Sequence, residues 1–267
     1  MSWESGEVVV EGARLHYHRT GGDRPPLVLL HGFSDSGLCW TRVARDLEDE
    51  YDVVMPDARG HGESDRVGPG LDTAQRARDV VGLIAALGLD RPALGGHSMG
   101  AATAAEVVAQ SPGVAACAVL EDPPWRDDPP TTAGRWDHIR RCQEASEEEG
   151  AAICRELHPS WGTSEIGPWV QAKRSFDLAL LESVRRGPGG PWREIAGAIR
   201  CPVLLLAGDP DLGGIVTPEV MAEVAQLCGA RSERLAGAGH NVRRERYDGY
   251  LPAVHAFLKE TRPAVTA

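Results

Sequence analysis

The sequence predicts an α/β fold, with a mostly parallel central sheet flanked by helices. Short apolar runs, each followed within two residues by Gly, Pro or Asp, recur along the 267 residues, and amphipathic or alanine-rich stretches separate them. Such runs are typical of strands that are buried on both faces. Since strands alternate with helices, the connections are crossovers and neighbouring strands run parallel. Ligands bind beyond the carboxyl ends of such strands, so the residues that follow each run are the candidates for function.

The strands are predicted in chain order. Residues 7–10 and 15–19 form a hairpin, because β-branched and aromatic residues flank the turn residues Glu11 and Gly12. The later strands are predicted at residues 27–30, 53–55, 93–94, 117–120, Val203–Ala207 and 233–235.

Helices are predicted between the strands. Residues 73–87 place Ala, Val, Leu and Ile at helical spacing opposite a polar face, and Met99–Gln110 is rich in alanine, which suits close packing on a sheet. A terminal helix is predicted at residues 247–260.

The segment 123–193 lacks this alternation of strands and helices. It holds five of the seven tryptophans and the acidic run 144–149, and it contains no buried-strand pattern. We expect a mainly helical insertion over the catalytic edge of the sheet, called here the lid segment. The core is then residues 1–122 and 194–267, and the tryptophans attach the lid segment to it, with one or two also lining a pocket.

Composition limits the function classes. The formal charge of −11 argues against binding of duplex nucleic acid, which needs a basic surface. No apolar run approaches the roughly 18–20 residues that span a bilayer, and no secretory signal is visible, so a cytoplasmic location is expected. The six cysteines show no metal-ligand spacing. We expect a small-molecule substrate, no cofactor and no metal, and the oligomeric state is left open.

Ser98 is the candidate nucleophile. It lies in Gly96-His97-Ser98-Met99-Gly100, directly after a predicted strand and before a predicted helix. A sharp strand-to-helix turn holds such a serine in a strained conformation, and the flanking glycines leave room for the turn. The positive end of the following helix favours negative charge that develops near the hydroxyl.

His240 is the candidate base. It follows the last predicted strand in the segment Gly237-Ala238-Gly239-His240, and the terminal helix comes after it. The other histidines close to the motifs, His31, His61 and His97, have local structural explanations.

The segments HGF, DARGHGESD, GHSMG, GDPD and GAGH, in this order, resemble the α/β-hydrolase superfamily. The resemblance covers almost the whole chain and places the lid segment where that fold carries its variable lid. It implies that Ser98 is the nucleophile, that His240 is the base, and that the backbone N–H groups of Phe33 and Met99 form the oxyanion hole.

The acid of the triad is left open by the sequence. The usual place in the superfamily, after the penultimate strand, is occupied by Asp211, although the following LGGIVTPE is longer than the usual link. Some members take a carboxylate from the end of the strand after the nucleophile helix, where Glu121 stands. Asp211 is the first choice and Glu121 the second, and Asp122 and Asp209 are the remaining candidates.

A serine nucleophile favours an acyl-enzyme, and hence hydrolysis of a carboxylic ester or a lactone. The tryptophans of the lid segment suggest a small hydrophobic substrate, with Trp125 as a contact. Two alternatives remain: carbon–carbon bond hydrolysis, lyase or cofactor-free haloperoxidase chemistry on the same triad, and a ligand-binding receptor on a hydrolase scaffold.

Overall fold

One sheet of eight strands runs through the part of the chain that the structure describes. This computed structural model describes residues 3–66, 72–127, 136–181 and 191–261. The strands are β1 Glu4–Val10, β2 Ala13–Arg19, β3 Pro26–Leu30, β4 Asp52–Pro56, β5 Ala93–His97, β6 Cys117–Glu121, β7 Val203–Ala207 and β8 Arg231–Arg234. Their spatial order is β1-β2-β4-β3-β5-β6-β7-β8. β2 pairs antiparallel with β1 and with β4, and the remaining pairs are parallel.

Helices cover both faces of the sheet. They are α1 Thr41–Leu47, α2 Thr73–Ala86, α3 Met99–Gln110, α4 Asp137–Glu144, α5 Glu147–Leu157, α6 Thr163–Ser175, α7 Trp192–Ala198, α8 Pro218–Cys228, α9 Val242–Glu245 and α10 Tyr247–Thr261. One apolar cluster joins the sheet to α2, α3, α7 and α8, and a second joins the opposite face to α1 and α10. None of the described helices is both long and apolar enough to cross a membrane.

The observed elements confirm the predicted α/β fold, with differences at the ends. The hairpin, the buried strands and the alanine-rich helix lie where the sequence places them. The last strand begins at Arg231, two residues earlier than predicted, and ends at Arg234. It lies at the edge of the sheet with partly exposed side chains, so its polar residues do not show the apolar pattern of a central strand.

The described residues of the lid segment are helical or irregular. They contain α4, α5, α6 and the start of α7, whereas residues 128–135 and 182–190 lie outside the described residues. Helices α4, α5 and α6 contact one another around a small apolar cluster that includes Ile153, Trp161 and Trp169. The predicted boundary after residue 193 falls within α7, and its Trp192 packs in the main core cluster.

The parallel register brings the ends of β5 and β6 side by side. His97 is opposite Glu121, so the next residues, Ser98 and Asp122, emerge together at the carboxyl edge of the sheet. The Ser98 N–H donates to the Glu121 carbonyl at 2.8 Å, and the Asp122 N–H donates to the carbonyl of Leu206 on β7 at 2.8 Å. This edge is where ligands bind in open α/β sheets.

Candidate active site

Ser98 occupies a strained turn between β5 and α3. Its backbone has φ 52° and ψ −113°, outside the regions that a non-glycine residue ordinarily adopts. A Cβ atom at Gly96 would lie 2.3 Å from the Gly100 carbonyl oxygen, and one at Gly100 would lie 2.1 Å from the Leu30 carbonyl oxygen. Both glycines are therefore required by close backbone approach, as expected for this turn.

His240 lies on the loop between β8 and α9, next to the serine turn. Its Nδ1 is 2.6 Å from Oδ2 of Asp122, and its side chain is 20% exposed. The His97 Nε2–H donates to the His240 carbonyl at 3.0 Å, and burial keeps the pKa of His97 well below its ordinary value. The Ser98 hydroxyl makes no hydrogen bond to a described residue, and such catalytic bonds commonly tighten only when substrate binds.

Asp122 is the carboxylate that contacts the imidazole. It is fully buried, has φ 42°, and accepts hydrogen bonds from the backbone N–H groups of Ile215 at 2.8 Å and Val216 at 3.0 Å. The left-handed backbone turns its carboxylate away from the strand direction, and aspartate tolerates this conformation better than most residues. Among the four acids weighed from the sequence, the structure brings Asp122 to His240.

Glu121 does not contact His240, which corrects the second choice made from the sequence. Its carboxylate accepts from the backbone N–H of Arg243 at 2.9 Å and from the guanidinium of Arg243 at 3.1 Å. Burial raises the pKa of Glu121, and Arg243 opposes this effect. Glu121 and Asp122 are adjacent but point to different partners, so Glu121 supports the loop that carries His240.

Asp211 does not contact His240 either, which corrects the first choice. It lies in a 3₁₀ turn, Pro210–Leu212, where its side chain is exposed. The neighbouring Asp209 accepts from the Gly237 N–H at 2.7 Å. The long segment that follows the turn carries the two N–H groups that bind Asp122, so it supplies donors to the acid and not the acid itself.

The candidate oxyanion-hole donors come from two segments, the loop after β3 and the start of α3. Phe33 follows β3 in the HGF segment, and Met99 is the first residue of α3. Among the described residues, neither backbone N–H donates to a protein acceptor. Two unused N–H groups beside a candidate nucleophile, one of them at a helix N-terminus, suit the stabilisation of an oxyanion.

Trp125 is packed into the core, which corrects its assignment as a substrate contact. Its side chain is 2% exposed and stacks on Trp192 with ring centroids 5.8 Å apart. The aromatic side chains around Phe33 lie closer to the candidate oxyanion hole. Phe33 contacts the rings of Trp136, at 4.9 Å, and Phe176, at 5.1 Å.

A group with metal-ligand chemistry lies at the base of the DARGHGESD turn. The ligand atoms of His16, His18 and Asp57 lie within 4.8 Å of one another. Asp57 already accepts from the Gly37 N–H, from the Glu63 N–H and from His16 Nδ1, and His16 Nε2 is bonded to the Ser5 hydroxyl. These hydrogen bonds explain the cluster as a support for the turn.

Comparison with known proteins identifies the family and the fold. The model of the alpha/beta hydrolase family matches residues 27–253. The chain belongs to this family, and it is a hydrolytic enzyme of the α/β-hydrolase fold.

One relative by sequence and two solved structures are similar to this α/β-hydrolase. It is 31% identical over 266 residues to N-formylmaleamate deformylase of Pseudomonas putida, which covers 95% of this chain and 96% of the relative. Two solved structures share the fold. An N-formylmaleamic acid deformylase from Pseudomonas putida has a TM-score of 0.82 at 23% identity, covering 94% of this chain and 100% of that chain. An enol-lactonase from Burkholderia xenovorans has a TM-score of 0.71 at 23% identity, covering 95% and 100%.

Sequence reasoning ranked Asp122, together with Asp209, behind Asp211 and Glu121 as the candidate acid. Glu121 and Asp122 both end the same apolar run, and alternation along a strand does not tell which of two terminal residues turns outward. The backbone of Asp122 leaves the strand conformation at that point. The one available signal was the unusual length of LGGIVTPE, which contains the donors to the Asp122 carboxylate.

Proposed function

We propose that this α/β-hydrolase cleaves a carboxylic ester or a lactone of a small, hydrophobic substrate through an acyl-enzyme on Ser98. His240 is the general base in this proposal, Asp122 orients it, and the N–H groups of Phe33 and Met99 bind the oxyanion. The observation that carries the proposal is the 2.6 Å contact between His240 Nδ1 and the fully buried Asp122, next to the strained Ser98.

The first half-reaction forms the acyl-enzyme. Asp122 accepts a hydrogen bond from Nδ1–H of His240, so the lone pair of the ring is on Nε2 and is available to Ser98. The Ser98 oxygen attacks the carbonyl carbon while His240 takes the hydroxyl proton. The tetrahedral intermediate then collapses, and His240 gives the proton to the leaving alcohol oxygen.

The second half-reaction repeats this sequence with water. His240 removes a proton from a water molecule that attacks the acyl carbon, and the proton then returns to the Ser98 oxygen as the carboxylic acid leaves. Both tetrahedral intermediates carry an oxyanion between the N–H groups of Phe33 and Met99. Loss of one such donor typically lowers kcat by about 10²–10³-fold.

The lid segment covers the acyl site in this proposal. Phe176 and Trp136 belong to the lid segment, and their rings contact Phe33 of the candidate oxyanion hole. These contacts place apolar side chains beside the proposed site of the carbonyl group, which supports a hydrophobic substrate.

A second candidate is the hydrolysis of a small N-acyl amide. It is favoured by the relative that is 31% identical over 95% of this chain, whose name states that it deformylates N-formylmaleamate. The same triad would attack a formyl carbon, and His240 would protonate a leaving nitrogen in place of an oxygen.

A fluorophosphonate probe and a substrate panel test both candidates. The probe should label the wild-type chain at Ser98, located by peptide mass mapping, and should not label Ser98→Ala. The panel compares nitrophenyl esters of increasing acyl length, simple lactones and an N-formyl amide by kcat/KM. The ester proposal requires the highest kcat/KM for an ester or lactone, whereas faster release of formate from the amide supports the second candidate.

Two other functions give different results when a diketone is added to the substrate panel. A ligand-binding receptor would retain small molecules without multiple turnover, and a carbon–carbon hydrolase would be active on a diketone while remaining nearly inactive on esters. A wild-type chain that neither labels at Ser98 nor hydrolyses any ester, lactone or amide overturns the proposal.

A further inference from the structure

Six buried charged side chains join the lid segment to the loops of the proposed active site. They are Asp35, Glu121, Glu165, Lys173, Arg243 and Arg244, and each is at most 4% exposed. Three are acids and three are bases. They come from the loop after β3, the end of β6, helix α6 and helix α9. Buried ion pairs contribute little net stability, and the placement of these groups therefore suggests a further role.

Lys173 contacts both the backbone and a side chain of the candidate oxyanion loop, whereas Arg243 and Arg244 contact only the Asp35 carboxylate there. From the last turns of α6, its ammonium donates to the Ser34 carbonyl at 2.8 Å and to Oδ1 of Asp35 at 2.9 Å. Burial opposes ionisation of Asp35, but Arg244, Lys173 and Arg243 together hold its pKa well below the usual range. Lys173 and Asp35 thus form an ion pair, and the two residues are 138 positions apart in the sequence.

The loop that Lys173 contacts is a strained turn. The Asp35 N–H donates to the Gly32 carbonyl at 3.0 Å, which closes a four-residue turn around Phe33 and Ser34. Ser34 has φ 66° at the third position, where such turns favour glycine. A non-glycine residue keeps this conformation only when its surroundings determine it. Lys173 holds the carbonyl of Ser34 and the side chain of Asp35.

The same end of α6 also holds the Phe33 side chain. Phe176 follows the last residue of α6, and its ring meets that of Phe33 edge to face with centroids 5.1 Å apart. One helix end therefore holds three successive residues of the turn: the ring of Phe33, the carbonyl of Ser34 and the carboxylate of Asp35.

We propose that Lys173 is a positioning residue, which holds the turn of residues 32–35 so that the Phe33 N–H points to the oxyanion. Docking of α6 is thereby coupled to stabilisation of the transition state. The inference rests on the proposed function, because the Phe33 N–H matters only if an oxyanion forms. Lys173 touches no reacting atom.

The test compares Lys173→Met with Glu165→Gln. Both remove one buried charge from α6, but Glu165 pairs with Arg244 at 3.2 Å and does not contact the turn. In the Lys173→Met variant Asp35 keeps Arg244 at 3.2 Å, so the carboxylate is not left unpaired. All rates are expressed per site labelled by the fluorophosphonate, which removes the effect of unfolded protein.

We expect Lys173→Met to lower kcat by about 10–100-fold, approaching the loss of one oxyanion donor, with little change in KM. Affinity for a boronic acid that mimics the tetrahedral intermediate should fall by a similar factor. Glu165→Gln should lower thermal stability without this fall in kcat or in boronic acid affinity.

The substitution Ser34→Gly provides a second test of the role of Lys173. Glycine adopts a positive φ at no steric cost, so the turn then needs less support. Adding Ser34→Gly to Lys173→Met should restore part of the lost kcat, a coupling that two independent sites would not show. Lys173→Arg, which keeps the charge, should retain more kcat than Lys173→Met.

The outcomes separate this inference from the proposed function. A wild-type chain that neither labels nor turns over overturns the proposed function and this inference with it. An active wild type in which Lys173→Met and Glu165→Gln have equal effects on kcat and boronic acid affinity overturns the inference alone. So does an active Lys173→Met variant with wild-type kcat, or a double variant that Ser34→Gly does not improve.

Discussion

The ends of β6 and β7 are each followed or closed by two nearby acids, Glu121 and Asp122 at β6 and Asp209 and Asp211 after β7, yet the two pairs play different parts. Glu121 and Asp122 are fully buried, and each binds one residue of the segment 240–243. Asp209 and Asp211 are partly or fully exposed, and Asp209 accepts a hydrogen bond from the turn before His240. The loop after β7 contributes N–H groups to Asp122 and no carboxylate to the imidazole.

This difference teaches that a carboxylate after a strand is not enough to define a triad acid. In this chain the carboxylate that contacts His240 follows the strand beside the one that carries Ser98, and the two strand ends are in register. β6 is adjacent to β5, and Asp122 follows the residue that pairs with His97. β7 lies one strand further from β5 than β6 does. The His240 imidazole contacts the residue that follows β6.

The largest expected effect comes from Asp122→Asn. An asparagine favours the wrong imidazole tautomer, so we expect kcat on an ester to fall by about 10⁴-fold, as for a comparable change in a serine protease. Steady-state kinetics, corrected for the folded fraction by circular dichroism, measure the loss. A kcat close to wild type would show that the contact between Asp122 and His240 is not catalytic.

The next effect is on stability, from Arg243→Met. Removing the guanidinium leaves Glu121 buried without its charged partner, although the backbone N–H of residue 243 remains, and broken buried pairs typically cost about 3–5 kcal/mol of unfolding free energy. Burial already raises the pKa of Glu121, and the change raises it further, so the stabilising form is the protonated one. The loss should therefore be largest at neutral pH and should shrink as the pH falls.

Urea unfolding at several pH values measures the unfolding free energy and tests this prediction. The matched control is Arg246→Met, because Arg246 forms an exposed ion pair with Asp248 and should show no measurable change. A loss for Arg243→Met that grows in acid would contradict the assignment of Glu121 as its buried partner.

A smaller effect on the unfolding free energy concerns the buried histidine His61. Burial, and next the neighbouring His31, lower the pKa of His61 to about 3. Between about pH 6.5 and 3 the unfolded chain binds one more proton here, so stability falls as the pH falls, by up to about 1.4 kcal/mol per pH unit.

His61→Asn removes this titration while keeping a donor for the Arg59 carbonyl, which His61 Nδ1 contacts at 2.9 Å. The slope of the unfolding free energy against pH should decrease by the equivalent of about one bound proton. Equal slopes for wild type and variant over pH 4–6 would contradict the buried, neutral state of His61.

The smallest effects are expected in the loop after β7. Asp211→Asn changes an exposed side chain and should leave kcat unchanged. In Asp209→Asn the new amide oxygen can still accept from the Gly237 N–H, so the change in unfolding free energy should stay within about 0.5 kcal/mol. A loss of kcat for Asp211→Asn comparable to that of Asp122→Asn would reverse the comparison between the two loops.

The sequence by itself determined the fold class, the strand order along the chain and the turn around Ser98. These follow from local rules: apolar runs, helical spacing, and glycines on either side of one serine. It also placed His240 after the last strand, because a loop rich in glycine has a recognisable composition.

Only the tertiary structure decided which acid meets His240 and which residues of the lid segment contact the candidate oxyanion loop. Asp122 is selected by the register of two parallel strands and by a positive φ, and neither is written in local composition. Trp125 is placed in the core by its stacking on Trp192, 67 residues later in the chain. Lys173 reaches Ser34 across 139 residues. Contacts between segments so far apart depend on how the elements pack, and the local sequence does not specify that geometry.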